Sequence, residues 1–166
     1  EPESVGFSSV MLKQAKRIFE GMDSNAFIVV YNGKLLISWG NTDEKLDVFS
    51  VRKSFLSSLF GVFSETGQID LNASLEALGI DEDDKLSATE KSARIIDLLR
   101  SRSGVYHPAA YTSFKKIIQR PDRGSYKPGE YWFYNNWDFN VLATIFHQLT
   151  ETDIFSAFYK KIAKPI

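Results

Sequence analysis

Two pairs of residues in the chain have the spacing of a serine nucleophile and an assisting amine, Ser50 with Lys53 and Ser113 with Lys116. Residues three apart on a helix lie on the same face, so the lysine can hold or move the proton of the serine hydroxyl. Chance alone produces about one such pair in a chain with this content of serine and lysine. The Ser-x-x-Lys spacing therefore needs support from its surroundings.

The two pairs lie in different surroundings. Ser50 comes shortly before an apolar segment, Phe55–Phe63, whose wide apolar stripe predicts a helix ending at Gly67. Free backbone N–H groups and the positive end of the helix dipole then lie beside the Ser50 hydroxyl. The Ser113 pair lies on a short amphipathic helix, where a solvated face explains both residues. Ser50 and Lys53 are the candidate pair, and the alternative is that Ser50 only caps the helix.

A second group of polar side chains is Tyr134 to Asn136, the only Tyr-x-Asn spacing in the chain. A tyrosine held near an ammonium has a lowered phenol pKa and can act as the base for a serine proton. The amide of Asn136 could orient Lys53 and a substrate carbonyl. The alternative is a buried aromatic residue followed by a helix cap, a position for which Asp138 competes with Asn136.

The composition excludes several other kinds of chemistry. With 20 Lys and Arg against 21 Asp and Glu, the net charge of −1 does not favour nucleic acid as a partner. The absence of cysteine excludes thiol nucleophiles, disulfides and thiolate metal sites. The two histidines, His107 and His147, are too far apart in sequence for a local metal motif. No apolar run is long enough to predict a membrane-spanning segment.

The N-terminal part of the chain predicts a helix followed by a β-hairpin. Apolar residues recur at three- and four-residue steps over about 8–21, where Ser8 or Ser9 is the expected N-cap. Asn32-Gly33 lies between two β-rich runs, and this dipeptide strongly favours a two-residue hairpin turn.

The rest of the chain predicts helices. A capping box, Ser87–Glu90, opens one helix that runs to Leu99. Apolar periodicity predicts three more helices, over about 111–119, 139–149 and 155–162. A sheet of only two strands is marginal in water, so either the hairpin packs on the helices or strands beyond Ile166 complete the sheet.

Four segments form an ordered set, which is Phe49-Ser-Val-Arg-Lys-Ser-Phe55, Gly67-Gln-Ile-Asp-Leu71, Leu98-Leu-Arg-Ser-Arg-Ser-Gly104, and Pro128-Gly-Glu130 with Tyr134-Asn-Asn136. With the opening helix and hairpin, this set resembles the N-terminal half of the serine β-lactamase and penicillin-binding protein family. The resemblance is to the branch of class C β-lactamases, D-Ala-D-Ala carboxypeptidases and related esterases, and nylon-oligomer hydrolases are similar in the same segments.

The resemblance implies a fold class and a domain organisation. The expected fold is α/β of the serine β-lactamase type, an antiparallel sheet flanked by helices plus a helical region. Here it is incomplete, mostly helical with one N-terminal hairpin. Residues 1–166 are then the N-terminal part of a single domain, in which 1–48 form the helix and hairpin of the sheet and 49–166 form the helical region.

The resemblance also implies a serine hydrolase that forms an acyl-enzyme on an amide or ester. Ser50 is the implied acylated nucleophile, Lys53 its proton partner, Tyr134 the general base and Asn136 a substrate-orienting amide. No metal or organic cofactor is implied. The substrate is a small molecule or peptide, namely a β-lactam, a D-Ala-D-Ala peptide, a short ester or an oligomeric amide, and the implied location is periplasmic or secreted.

One element of the family pattern is missing from these residues. The third motif, Lys/His-Thr/Ser-Gly, does not occur after Tyr134, and its strand supplies one of two backbone N–H donors for the oxyanion. Losing one such donor costs about 2.7–4 kcal/mol of transition-state stabilisation. We therefore expect a longer protein, whose C-terminal part is a partner of this chain. Two other functions stay open, a catalytically silent binding module of the same fold and a helical interaction domain.

Overall fold

The computed structural model describes residues 1–166, which divide after Asp47 into two units, Glu1–Asp47 and Val48–Ile166. The N-terminal unit contains a 3-10 turn (Pro2–Val5), helix α1 (Ser9–Glu20) and the antiparallel strands β1 (Ala26–Tyr31) and β2 (Lys34–Gly40). The second unit contains a 3-10 turn (Phe49–Val51), a π turn (Tyr159–Ala163) and the helices α2 (Arg52–Glu65), α3 (Ala88–Lys91), α4 (Ile95–Leu99), α5 (Phe114–Gln119), α6 (Trp137–Thr150) and α7 (Ile154–Phe158).

The predicted N-terminal helix and hairpin are confirmed. The Ser8 hydroxyl accepts the backbone N–H of Met11 at 3.4 Å and so caps α1. Asn32 and Gly33 have φ angles of 47° and 71°. A two-residue turn whose central residues both have positive φ matches the twist of the strands that it joins. Local sequence therefore specified these two elements.

An aromatic cluster packs α1 against the hairpin. Phe19 of α1 lies with its ring centroid 5.8 Å from that of Trp39, and the Trp39 ring stacks on Phe27 at 5.4 Å. Contact among these partly exposed rings stabilises a two-stranded sheet that is marginal alone. Ile28 and Leu35 of the same hairpin remain exposed.

The core of the second unit lies between α2 and α6. Phe60 and Phe63 of α2 contact Phe146 of α6, with ring centroids 5.8 Å and 5.0 Å apart. The apolar stripe predicted for α2 is therefore confirmed, and Gly67 follows the helix with the φ of 74° that lets the chain turn away. None of the helices combines the length and the apolar composition that a membrane span requires.

The single helix predicted from Ser87 to Leu99 is wrong, because the chain forms two short helices there, α3 and α4. The capping box itself is present, since Ser87 Oγ accepts the Glu90 N–H at 3.2 Å and the Glu90 carboxylate accepts the Ser87 N–H at 2.7 Å. Between the two helices, residues 93–95 pair with residues 73–75 through backbone hydrogen bonds of 2.8 Å and 3.1 Å. This pairing replaces the bonds that would continue the helix.

The helix predicted over 111–119 begins later, at Phe114. Tyr111 has a φ of 58°, in the left-handed region, which a right-handed helix cannot include. The two helices predicted near the C-terminus are present as α6 and as α7, and the second continues into the π turn.

A fully buried carboxyl group joins the start of α6 to the segment after α4. The Asp138 Oδ1 accepts a hydrogen bond from Ser103 Oγ at 2.6 Å, while its Oδ2 is buried without a partner. Burial raises the pKa of Asp138 to about 7, although hydrogen bonds with Ser103 and Asn135 act in the opposite direction. Asp138 is therefore held largely protonated in mildly acidic solution.

Ser87→Ala should lower the free energy of unfolding by about 1 kcal/mol, because the Glu90 N–H loses its acceptor at the start of α3. Urea denaturation followed by circular dichroism measures this change. The matched control is Ser92→Ala, whose exposed hydroxyl only donates to the Thr89 carbonyl and should change stability by less than about 0.5 kcal/mol. Equal losses for the two variants would contradict the role of the capping box.

Asp138→Asn should reduce the fall in the free energy of unfolding that the wild type shows as pH rises from about 4 to 7. In the wild type, the unfolded carboxyl loses its proton near pH 3.8 and the folded one near pH 7. Between these values the unfolded state binds fewer protons, so wild-type stability falls as pH rises. Urea midpoints measured across this range should show a smaller decline for the variant. The exposed Asp122→Asn change should preserve the wild-type decline, and an unaltered decline in Asp138→Asn would contradict the assignment.

Candidate active site

The 3-10 turn before α2 and the first turn of the helix bring Ser50 and Lys53 together. Ser50 lies in the turn, and the Lys53 ammonium donates a hydrogen bond to Ser50 Oγ at 3.0 Å. Val51, and not Ser50, occupies the N-cap position of α2, and no side chain caps this helix. The alternative of a serine that only caps the helix is therefore wrong.

Phe49, immediately before Ser50, has an unusual backbone conformation. Its φ of 43° lies in the left-handed region, and the residue is 78% exposed, so packing of its ring does not explain the conformation. Left-handed residues other than glycine cost about 1–3 kcal/mol and cluster at functional sites. This strain distinguishes the turn at Ser50 from an ordinary helix start.

Asn136 lies beside Lys53 and connects it to a neighbouring loop. Its Oδ1 accepts a second hydrogen bond from the Lys53 ammonium at 3.0 Å. Its Nδ2 donates to the carbonyl oxygens of Ala110 at 3.2 Å and Tyr111 at 3.1 Å. Because the amide is bound at both ends, its oxygen is directed at Lys53.

Asn136 occupies the N-cap position of α6, so the alternative is correct about its place in the helix and wrong about its side chain as the cap. Neither its side chain nor that of Asp138 accepts a hydrogen bond from the first N–H groups of α6. The capping interaction comes from Asn135, whose Oδ1 accepts the Asp138 N–H at 2.8 Å. The Asn136 side chain is thus free to contact Lys53, and that of Asp138 is directed at Ser103.

Tyr134 is half-buried beside the same ammonium. The Lys53 Nζ lies 5.3 Å from the centroid of the Tyr134 ring. Burial raises the pKa of the Tyr134 phenol, but hydrogen bonding with Ser50 and Lys53, together with the positive charges of Lys53 and Lys116, outweighs burial. The pKa of Tyr134 consequently lies below its ordinary value, which increases the phenolate fraction at neutral pH.

These side chains together can move a proton from a serine hydroxyl. Lys53 donates to the Ser50 oxygen, so the Ser50 hydroxyl hydrogen is left to be donated to another acceptor. Tyr134 is the candidate acceptor, because hydrogen bonding with Ser50 is among the causes that lower the pKa of its phenol. An alkoxide forming at Ser50 would keep the adjacent positive charge of Lys53 as its counter-ion.

Residues 101–104 position the segment that carries Tyr134 and Asn136. The Ser101 carbonyl accepts the Phe133 N–H at 2.9 Å, and the Arg102 carbonyl accepts the Gly129 N–H at 2.8 Å. At Gly104, which has a φ of 70°, a Cβ atom would lie 2.8 Å from the Tyr126 carbonyl oxygen, so only glycine fits there. The sequence segment ending in Ser103-Gly104 thus acts as a support for the Tyr-x-Asn segment.

Lys116 is a site residue that the sequence reasoning missed. The amphipathic pattern predicts a solvated face for Lys116. In the structure its Nζ lies 5.4 Å from the centroid of the Tyr134 ring and 5.2 Å from that of Phe133. The contact joins residues eighteen positions apart through irregular chain. The spacing of the Ser-x-x-Lys pair contains no signal for it.

Two of the other aromatic residues near Tyr134, and His107, take part in packing and ionic contacts away from Ser50. The Tyr126 and Tyr131 rings stack on each other with centroids 4.3 Å apart. His107 is buried with its Nε2 3.9 Å from the Glu90 carboxylate, which also receives a hydrogen bond from Arg123 at 2.9 Å. These groups belong to packing and ion-pair clusters, and they do not contact Ser50.

An apolar cavity of about 430 Å³ lies beside Lys53, between α2, α6 and α7. Lys53 forms part of its wall, with Phe55, Phe139 and Phe158. Ser50, Tyr134 and Asn136 do not line it. The cavity is therefore next to the candidate site and is not the site itself.

The fold matches solved structures over most of the chain. FmtA from Staphylococcus aureus matches with a TM-score of 0.64 and 20% identity, over 92% of this chain and 46% of that one. An octameric penicillin-binding protein homologue from Pyrococcus abyssi gives a TM-score of 0.68 and 19% identity, over 95% and 43%. A class C beta lactamase gives a TM-score of 0.63 and 15% identity, over 93% and 47%.

The chain spans less than half the length of each of these structures. Its hairpin and helices correspond to part of the serine β-lactamase fold, as the sequence predicted. It matches none of the curated proteins. The model of the Beta-lactamase family matches residues 15–166, and the chain therefore belongs to this family.

Proposed function

We propose that this chain carries the nucleophile of a serine hydrolase that acts through an acyl-enzyme on an amide or ester. One observation carries the proposal, the Lys53 ammonium that bonds Ser50 Oγ and Asn136 Oδ1 at 3.0 Å each. A nucleophile, a cation and a proton acceptor within hydrogen-bonding reach are the requirements of nucleophilic catalysis. Membership in the Beta-lactamase family supports the reaction class.

In the first proposed step, Ser50 Oγ forms a bond to the substrate carbonyl carbon while its proton passes to the Tyr134 phenolate. The Lys53 ammonium stays bonded to the serine oxygen and offsets the negative charge that grows there. The carbonyl electrons move onto the carbonyl oxygen. The backbone N–H of Ser50 is one proposed donor to this oxyanion, and the second is proposed to come from another part of the whole protein.

In the second proposed step, the carbonyl re-forms and the bond to the leaving group breaks. The proton held by Tyr134 passes to the leaving nitrogen or oxygen, which leaves an ester on Ser50. Water then attacks this ester and gives a proton to the Tyr134 phenolate, which passes it to Ser50 Oγ as the bond between Oγ and the acyl carbon breaks and the acid is released. The same tyrosine therefore acts as base in the first step and as acid in the second.

Contact of Asn136 with a substrate carbonyl is a narrower proposal. Both hydrogens of its amide already donate to the carbonyls of Ala110 and Tyr111. A substrate carbonyl would have to replace one of these two acceptors. The class of substrate is proposed to be a β-lactam, a D-Ala-D-Ala peptide, a short ester or an oligomeric amide, since each contains a carbonyl with a leaving group.

Ser50→Ala should abolish covalent labelling of the chain. Intact-mass spectrometry after incubation with a fluorescent penicillin, and separately with a fluorophosphonate, should show one adduct per chain that peptide mapping places on Ser50. The variant should fold with wild-type stability, because the Ser50 hydroxyl is not a helix cap.

The matched control is Ser113→Ala, which changes the other Ser-x-x-Lys pair and should leave the adduct intact. Because the chain spans less than half of the structures that it matches, the same labelling is performed on the longest natural form of the protein. An adduct on Ser50 in either form supports the proposal. No adduct in either form would overturn it in favour of a catalytically silent binding module.

Tyr134→Phe should slow the labelling of Ser50 by about 10²–10⁴-fold, the usual contribution of a general base. In the wild type, the labelling rate should rise with pH and level off below the ordinary pKa of tyrosine, because the pKa of Tyr134 is lowered. Stopped-flow fluorescence across pH measures both effects. Tyr131→Phe, on the stacked pair, should leave rate and profile unchanged. A Tyr134→Phe variant that labels at the wild-type rate would exclude this base.

A further inference from the structure

Lys116 places a second ammonium over the phenol ring of Tyr134. Its Nζ lies 5.4 Å from the ring centroid, and the Lys53 Nζ lies 5.3 Å from the same centroid. The two lysines come from different helices, α5 and α2. One phenol therefore experiences two positive charges, of which only that of Lys53 is part of the Ser50 hydrogen-bond chain.

The charge of Lys116 is not neutralised by a neighbouring carboxylate. Unlike Lys91, whose ammonium lies 2.7 Å from the Asp81 carboxylate, Lys116 takes part in no salt bridge. Its side chain is half-buried against Phe133, which limits screening by water. An uncompensated charge near a titratable group acts on it more strongly when solvent is partly excluded.

Among the largest influences on the pKa of Tyr134, the charged groups are both positive. The charged groups that act on its phenol are Lys53 from α2 and Lys116 from α5, and Ser50 contributes a hydrogen bond. The loop that leads into α5 is bonded to the site, because Asn136 donates to the carbonyls of residues 110 and 111. Asn136 thus connects the chain that carries Lys116 to the Lys53 ammonium.

We propose that Lys116 is a positioning residue of this site, whose ammonium stabilises the phenolate of Tyr134 so that the base is available at neutral pH. The kinetic part of this inference rests on the proposed hydrolase function. The electrostatic part does not, because it concerns the equilibrium between phenol and phenolate in the resting protein.

The test compares Lys116→Met with wild type and with Lys116→Arg. Phenolate absorbance is followed during alkaline titration, and the titration of the corresponding Tyr134→Phe protein is subtracted to isolate one of the seven tyrosines. Lys116→Met should move the Tyr134 titration to higher pH, and Lys116→Arg should restore it. The rate of Ser50 labelling at neutral pH should fall about tenfold in Lys116→Met and recover at alkaline pH.

Lys115→Met is the matched control, since this exposed neighbour on α5 lies over no ring and should change neither titration nor labelling. A Tyr134 titration that is the same in Lys116→Met and wild type would overturn the inference. A uniform loss of labelling at every pH, with an unchanged titration, would assign Lys116 a structural role and overturn it as well. A shifted titration in a protein that no probe labels would support the inference while overturning the proposed function.

Discussion

The hydrogen bonds of the Lys53 ammonium are the interaction on which the candidate site depends. They join Ser50, three residues away, to Asn136, which lies 83 residues away. Two of the three hydrogens of this ammonium can therefore be used in these bonds. Its positive charge lies next to the Tyr134 ring. If Lys53 were removed, the serine would lose its counter-ion, and the amide of Asn136 would lose the partner that orients it. The site is in this sense one connected hydrogen-bond chain.

The hydrogen bonds among Ser50, Lys53 and Asn136 depend on residues 101–104, which hold the segment of Tyr134 and Asn136 in place. The carbonyls of Ser101 and Arg102 bind the backbone before Tyr134, and Ser103 binds the buried carboxyl of Asp138 just after Asn136. Burial keeps this carboxyl protonated in mildly acidic solution, which lowers the cost of placing it in the core. Tyr134 and Asn136 therefore lie between two anchored positions of the backbone, one bonded to the carbonyls of residues 101 and 102 and the other at Asp138. A segment without catalytic side chains can therefore matter to the site through its backbone and its buried contacts.

Several elements whose cause lay within one or two turns of chain were predicted correctly. The Asn32-Gly33 turn, the Ser8 cap and the capping box of Ser87 with Glu90 are all present, because each is a contact between near neighbours. The prediction was wrong where a distant segment competed for the backbone. Residues 93–95 pair with residues 73–75, and this pairing interrupts the helix that the apolar pattern alone favoured. Backbone hydrogen bonds have many available partners, and periodicity does not reveal which distant one is used.

For the site, the sequence by itself determined the residue types and the nearness of Ser50 to Lys53, since residues three apart in continuous helical turns share a face. The order of its segments also indicated the family whose model matches residues 15–166. Only the tertiary structure decided that Ser50 is not a cap, that Asn136 is directed at Lys53 while Asn135 caps α6, and that Lys116 lies over Tyr134. The reason is physical. Hydrogen bonds and charge interactions act over a few ångströms in space, and for residues far apart in the chain that distance is set by how the helices pack.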